Sequence, residues 1–236
     1  MTQHPFKPVL LDLLRQAQNS QNAFFQQLPP AELEAIGTPD HWSARDHVAH
    51  LTFWRQRLIL RVQAILDKKP QPPSQDYTQV NPLIFEEHRH RPWSTLFAES
   101  EAAYARLITL TEQLSEEDLT AFNRINWTDD GEPFYSAFMS SCYEHTQQHL
   151  AQYSLDRQDL EQATNTYETW ARRVIEAEVP ERLKGIIYYN LACFYALQSQ
   201  LGKARAALQQ AFTLASSLRE IALSDPELSA LRPDFS

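Results

Sequence analysis

Glycine is nearly missing from this chain, with 4 in 236 residues where roughly 7% is usual for a globular protein. Tight hairpin turns and phosphate-cradling loops both need it, so a hairpin-rich β fold is not expected. No Gly-x-Ser-x-Gly elbow, Walker loop or dinucleotide fingerprint occurs. Cysteine is equally scarce. Cys142 and Cys193 lie far apart, each inside an apolar helical pattern, which rules out a disulfide framework and any CxxC redox or zinc motif.

Positive charge is in short supply: 21 Lys and Arg stand against 30 Asp and Glu, for a net charge of −9 and a pI near 5.4. The basic stretches are pairs such as Lys68-Lys69 and Arg172-Arg173. Without a broad cationic surface to neutralise phosphates, nucleic-acid binding is not expected. No run of about 18 uncharged apolar residues exists, and Met1 to Leu14 lacks a basic start followed by a clean apolar stretch. The expectation is no membrane partner and a cytoplasmic location.

What remains is enough for a core, since hydrophobic residues make up 43%. The length leans towards two domains, and apolar periodicity predicts an all-α chain. A first helix spans about Phe6 to Leu28 on Val9, Leu10, Leu13, Leu14, Ala17, Phe24 and Phe25, and Pro29-Pro30 ends it. A second opens at Ser43, whose hydroxyl can accept an orphan backbone N–H while Asp46 sits in the positive first turn, and runs to about Asp67. Residues 69–91 are polar and proline-containing and read as mostly loop, long enough to cover a site. A third helix follows from Trp93 to Leu114 and a fourth from Pro133 to Arg157. Residues 1–157 thus predict one four-helix bundle.

Residues 158–236 form a second predicted domain, richer in alanine. Tyr188, Leu191, Ala192, Tyr195, Gly202, Ala204, Leu208 and Ala211 follow the spacing of a tetratricopeptide repeat, in which small residues let two antiparallel helices approach. One repeat cannot bury its own face. A helix at about 159–177 and the segment from Asp225 to Arg232 are therefore expected as caps, or the bundle serves as one.

The fourth helix carries the chemistry. At about 100° per residue, Phe134, Phe138, Cys142, His145, His149 and Tyr153 share one core-facing stripe. Burying two imidazoles there is costly without partners, and their i, i+4 spacing lets one cation reach both. Helix two offers a third nitrogen from His47 or His50. Angular counting places His47 nearer the centre of the apolar face and His50 at its margin beside Trp54, so periodicity alone prefers His47. His145-Thr-Gln-Gln-His149 is not a zincin motif, because threonine stands where the catalytic glutamate is required.

Trp42-Ser-Ala-Arg-Asp-His47-Val-Ala-His50-Leu51 with Trp54, together with Tyr143-Glu-His145-Thr-Gln-Gln-His149, resembles the second- and fourth-helix signatures of the DinB-like four-helix bundles. The resemblance covers about residues 6–155. It implies a facial three-histidine site for a divalent metal, Zn or Ni, formed by His50, His145 and His149, the histidine directly before the leucine being the helix-two ligand. Some branches of the family lack the full triad, and its retention here favours a metal-competent one.

Three neutral nitrogens leave positions open on such an ion for a water acidified towards pKa about 7, or for a low-molecular-weight thiol held as thiolate. The resemblance implies both outcomes, so the expected activity is a metal-dependent, thiol-dependent transferase or a hydrolase acting on a small electrophile. Trp42, Trp54 and Cys142 are candidate pocket residues, although packing is the commoner role for buried aromatics and for a small thiol. Asp46 reads as part of the helix start, Glu144 as solvated, and His88 with His90 as a surface cluster. The competing reading is a non-catalytic, stress-related adaptor whose repeat domain docks a protein partner. Self-association as a homodimer through an apolar helix face fits either.

Overall fold

The computed structural model describes residues 5–126 and 131–234. Among these the chain is helical, with no strands beyond two isolated bridges, Thr38 to His41 and Phe122 to Pro133. It divides into two compact units, Met1–Ala163 and Thr164–Ser236.

The first unit contains α1 (Phe6–Gln26), the short α2 (Pro30–Leu33), α3 (Ala44–Leu66), α4 (Tyr77–His88), α5 (Trp93–Gln113) and the short α6 (Glu116–Thr120). A last long helix is composite: α7 (Tyr135–Phe138), a π-helical turn (Met139–Glu144) and α8 (His145–Leu155). The four long helices form a bundle in which α1 and α3 each pack beside both α5 and the composite helix. Their inward faces are apolar at helical spacing, as in α1, where Leu10, Leu14, Ala17 and Phe25 are buried.

One polar group crosses that core. Arg55 of α3 is fully buried and its guanidinium donates to Gln21 Oε1 of α1 (2.7 Å), Ser100 Oγ (3.0 Å) and the Tyr104 hydroxyl (3.1 Å) of α5, and Thr146 Oγ1 of α8 (2.7 Å). It also lies 3.9 Å from the Tyr104 ring centroid, a cation–π contact strengthened by desolvation. All these partners are neutral. The two terminal nitrogens of Arg55 are satisfied by three neighbouring helices, which fixes the rotation of all four at one level, while its Nε–H is buried without a hydrogen-bond partner among the described residues.

The start of α3 is set locally. Ser43 Oγ accepts from the Asp46 N–H and Asp46 Oδ2 accepts from the Ser43 N–H at 2.8 Å, a reciprocal capping box. Gly37 packs against it so closely that an added Cβ would lie 2.1 Å from Asp46 Oδ2 and 2.5 Å from the Ser43 nitrogen. Here the missing side chain is a packing requirement.

The stretch 69–91, expected to be mostly loop, instead contains α4. Asp76 caps it by accepting from the Thr78 N–H at 2.9 Å. Only Ile84 and Phe85 are buried and Pro82 sits inside the helix, so the apolar signal is short and a breaker interrupts it. Packing against α3 overrides that weak local preference.

Helix α9 (Leu160–Glu176) begins at the end of the first unit and continues into the second. The second unit holds α10 (Glu181–Leu197), α11 (Leu201–Leu214), α12 (Leu218–Ser224) and a 3₁₀ segment (Pro226–Asp234). α10 and α11 form an antiparallel hairpin. Gly185 at its open end comes so near that a Cβ would meet Ala215 Cβ at 2.8 Å, and Lys203 lies over the Tyr195 ring at its turn. Tyr167 stacks on Phe194 at 4.1 Å, and the Tyr189 hydroxyl donates to Asp225 at 2.6 Å. No described helix is long and apolar enough to cross a membrane.

The packing at Gly37 predicts that Gly37→Ala destabilises the protein by about 1–3 kcal/mol, the range for overpacking a filled site. Ser43→Ala should cost about 1 kcal/mol through the lost cap. Urea unfolding checks both, and a Gly37→Ala protein as stable as the parent would contradict the packing.

Candidate metal centre

The capping box fixes where α3 begins, and the first two turns of α3 then carry His47 and His50 into the bundle. Both are buried, at 2% and 4% exposure. The composite helix supplies His145 and His149, which keep a partly exposed edge. His145 Nε2 lies 3.0 Å from His50 Nε2 and 3.0 Å from His149 Nε2. One nitrogen from each of His50, His145 and His149 falls within 4.8 Å of the others. His47 is not part of this cluster. Its Nδ1 instead faces the far side of His149, 2.8 Å from that ring's Nδ1.

Where periodicity preferred His47, the structure groups the His50 nitrogen with those of both His145 and His149, and His47 touches His149 alone of the pair. The grouping also sets a hydrogen-bonding problem. A neutral imidazole nitrogen holds either one proton or one lone pair, so His145 Nε2 cannot form good hydrogen bonds to both neighbours. At least one 3.0 Å approach is left without a shared proton. Three lone pairs facing a common point would be satisfied together by one divalent cation, and an all-nitrogen set suits zinc or nickel better than magnesium or calcium. The residues therefore fit a metal.

Electrostatics keep the rings neutral. Desolvation takes the His47 pKa from its ordinary value down to about 3, with His50 and Arg157 adding repulsion. His50 falls to about 4, again by desolvation first and then by Arg55. His145 and His149 lie well below the usual histidine range for the same leading reason, reinforced by neighbouring histidines and Arg55. Imidazoles held unprotonated have their lone pairs ready for a ligand role.

Trp42, from the loop ahead of α3, packs on three of these rings: stacked on His149 at 5.7 Å, tilted on His50 at 5.0 Å and edge-on to His47 at 5.5 Å. Trp54 lies 6.3 Å from His50 and lines an adjoining cavity of about 500 Å³. The cavity wall also includes His50, His145, Arg61, Tyr77 and Asn81. The Trp54 indole N–H donates to Asn81 Oδ1 at 3.2 Å, which ties α4 to the cavity edge. Residues 69–91 thus border the site through both the loop residues Ser74 and Gln75 and the helix that follows them.

Glu144 corrects an expectation. It is 8% exposed and lines the cavity beside His145, whereas uniform helical counting turned it to solvent. That side of the helix is covered, not solvated: the same cavity wall includes Ser74, Gln75, Tyr77 and Asn81 from the stretch expected to be mostly loop. Within the π-helical turn Met139–Glu144, the Cys142 carbonyl accepts from both the Tyr104 hydroxyl (2.8 Å) and Thr146 Oγ1 (2.7 Å). Arg61 was also missed, although His50, Trp54 and Arg61 at spacings of 4 and 7 share a helix face.

Cys142 itself is wholly buried, its thiol pKa pushed up to about 12 by desolvation, and it does not border the cavity. His88 is half-buried against Arg91 at 3.1 Å and His90 is exposed. Asp46 is committed to the capping box.

The sequence model described as the DinB superfamily matches residues 13–153. Neither the curated proteins nor the solved structures contain a match to the chain.

Because the four histidine pKa values are depressed on folding, the unfolded chain binds more protons below its ordinary histidine pKa of 6.5. Their stabilising contribution is complete above that value and is lost as pH falls towards 4 and 3. Metal-free protein should therefore show a Tm that falls steadily from about pH 7 to about pH 4.5. A flat profile across that window would contradict the buried neutral cluster.

Proposed function

The chain belongs to the DinB superfamily, and on that footing we propose that its bundle is a divalent-metal-dependent enzyme with His50, His145 and His149 as ligands. The observation that carries this reading is the convergence of three Nε2 atoms whose 3.0 Å contacts cannot all be hydrogen bonds. Zinc or nickel is the ion best matched to three imidazoles.

When bound, the ion supplies Lewis acidity that lowers the pKa of a water or of a low-molecular-weight thiol. The rest falls to side chains. The cavity of about 500 Å³ is of a size for a small molecule, and it opens on His50 and His145, so a substrate there would lie next to the metal position. Trp54 offers an aromatic wall, and Glu144 and Arg61 offer charges of opposite sign at that wall. Trp42, packed on three histidine rings, excludes water from their other side. We assign the activity as transfer of a thiol to a small electrophile, or its hydrolysis.

For residues 158–236 we propose a tetratricopeptide-like hairpin that docks a protein partner. The close seam of Gly185, Ala211 and Ala215 supports the likeness, small residues being what such a pair of helices needs. A protein that co-purifies with the full chain and is released by Tyr188→Ala fits this role; recovery of the chain alone under native conditions counts against it.

The metal reading is tested by elemental analysis after loading with zinc or nickel. The parent protein should hold one ion per chain and His149→Ala none. Unchanged metal content in the variant removes the ligand assignment. Cobalt-loaded protein should gain an intense sulfur-to-metal absorption band on adding a small thiol, and hydrolysis without such a band favours the water-dependent branch.

A further inference from the structure

A fourth histidine touches the cluster without belonging to it. His47 is 2% exposed and its Nδ1 lies 2.8 Å from Nδ1 of His149, while the Nε2 of His149 points the other way, to His145. Two ring nitrogens at 2.8 Å share one proton between them. If that proton sits on His47, His149 must carry its own on Nε2, where it points into the cluster and blocks a lone pair. If it sits on His149, the Nε2 lone pair is freed towards His50 and His145.

We propose that His47 is a positioning residue for the metal centre: its Nδ1 accepts the Nδ1–H of His149, holding that ring in the orientation and tautomer whose Nε2 is a metal ligand. The inference rests on the three-histidine reading and extends it by one residue. His50, the ligand from α3, is held differently. Its Nδ1 has no hydrogen-bond partner among the described residues, and its ring is instead wedged between Trp42 and Trp54 at 5.0 and 6.3 Å. Hydrogen bonding at the outer nitrogen raises ligand basicity as well as fixing the ring. His47 also packs at the ring edge of Trp42, which itself stacks on His149, so hydrogen bond and stacking restrain the same ligand.

The position of His47 on α3 makes the arrangement possible. His47 and His50, three residues apart, lie one above the other on the helix. A single helix face thus supplies one nitrogen to the cluster and one to the back of the ligand opposite.

The test compares the full chain with His47→Leu and His47→Asn. Leucine fills the space without an acceptor, whereas the asparagine Oδ1 occupies nearly the place of Nδ1. Zinc affinity is read by competition with a chromophoric chelator. Cobalt-loaded samples are read by visible absorption, and folding is checked by circular dichroism.

His47→Leu is expected to keep one site per chain but to bind zinc roughly 10- to 100-fold more weakly, the usual effect of removing such a partner. His47→Asn should recover most of the affinity and restore the parent cobalt spectrum. Affinity within about twofold of the parent in His47→Leu overturns the proposal, as does an asparagine variant no better than leucine. Complete loss of stoichiometric metal in both variants overturns it too, since His47 would then be a ligand. A parent protein that binds no metal defeats the three-histidine reading itself, and with it this extension.

Discussion

A guanidinium buried among neutral oxygens organises the bundle. Through its two terminal nitrogens Arg55 reaches one side chain or more on each of the other three long helices, and losing any of those bonds in the core would be costly. The helices can therefore satisfy it in one rotational setting. Two of its partners, Tyr104 and Thr146, also donate to the Cys142 carbonyl inside the π-helical turn. The network that aligns the helices thus meets the backbone at the irregular turn directly ahead of His145. Its positive charge further disfavours protonation of His50, His145 and His149.

Much of this was legible in the residues. Ser43 and Asp46 announced the start of α3, and the i, i+4 pair His145 and His149 on an apolar stripe announced the cluster, because both signals are local. Between His47 and His50 periodicity pointed to His47, whereas His50 is the one grouped with His145 and His149. Ala44 through Thr52 are all buried, so the first turns of α3 have no solvent side and the centre of an apolar face carries no meaning there. Resemblance pointed to His50, whose Nε2 lies 3.0 Å from that of His145.

Glu144 and α4 escaped for linked physical reasons. Glu144 was read as solvated because the segment that covers its side, Ser74 to Asn81, is far away in sequence and was expected to be mostly loop. In α4 the apolar signal is two residues long and Pro82 reads as a breaker, while the stabilising contacts to α3 are made by segments far apart in sequence. In each case the affected segment borders the cavity beside the histidines.

The proposed function depends on the Nε2 atoms of His50, His145 and His149 sharing one ion. X-ray absorption at the zinc edge of the thiol-free, zinc-loaded protein tests this most directly. It should give a first shell with three imidazole nitrogens at about 2.0–2.1 Å and the outer-ring scattering characteristic of histidine. A shell dominated by sulfur or carboxylate oxygen, or one with fewer than three imidazoles, would contradict it.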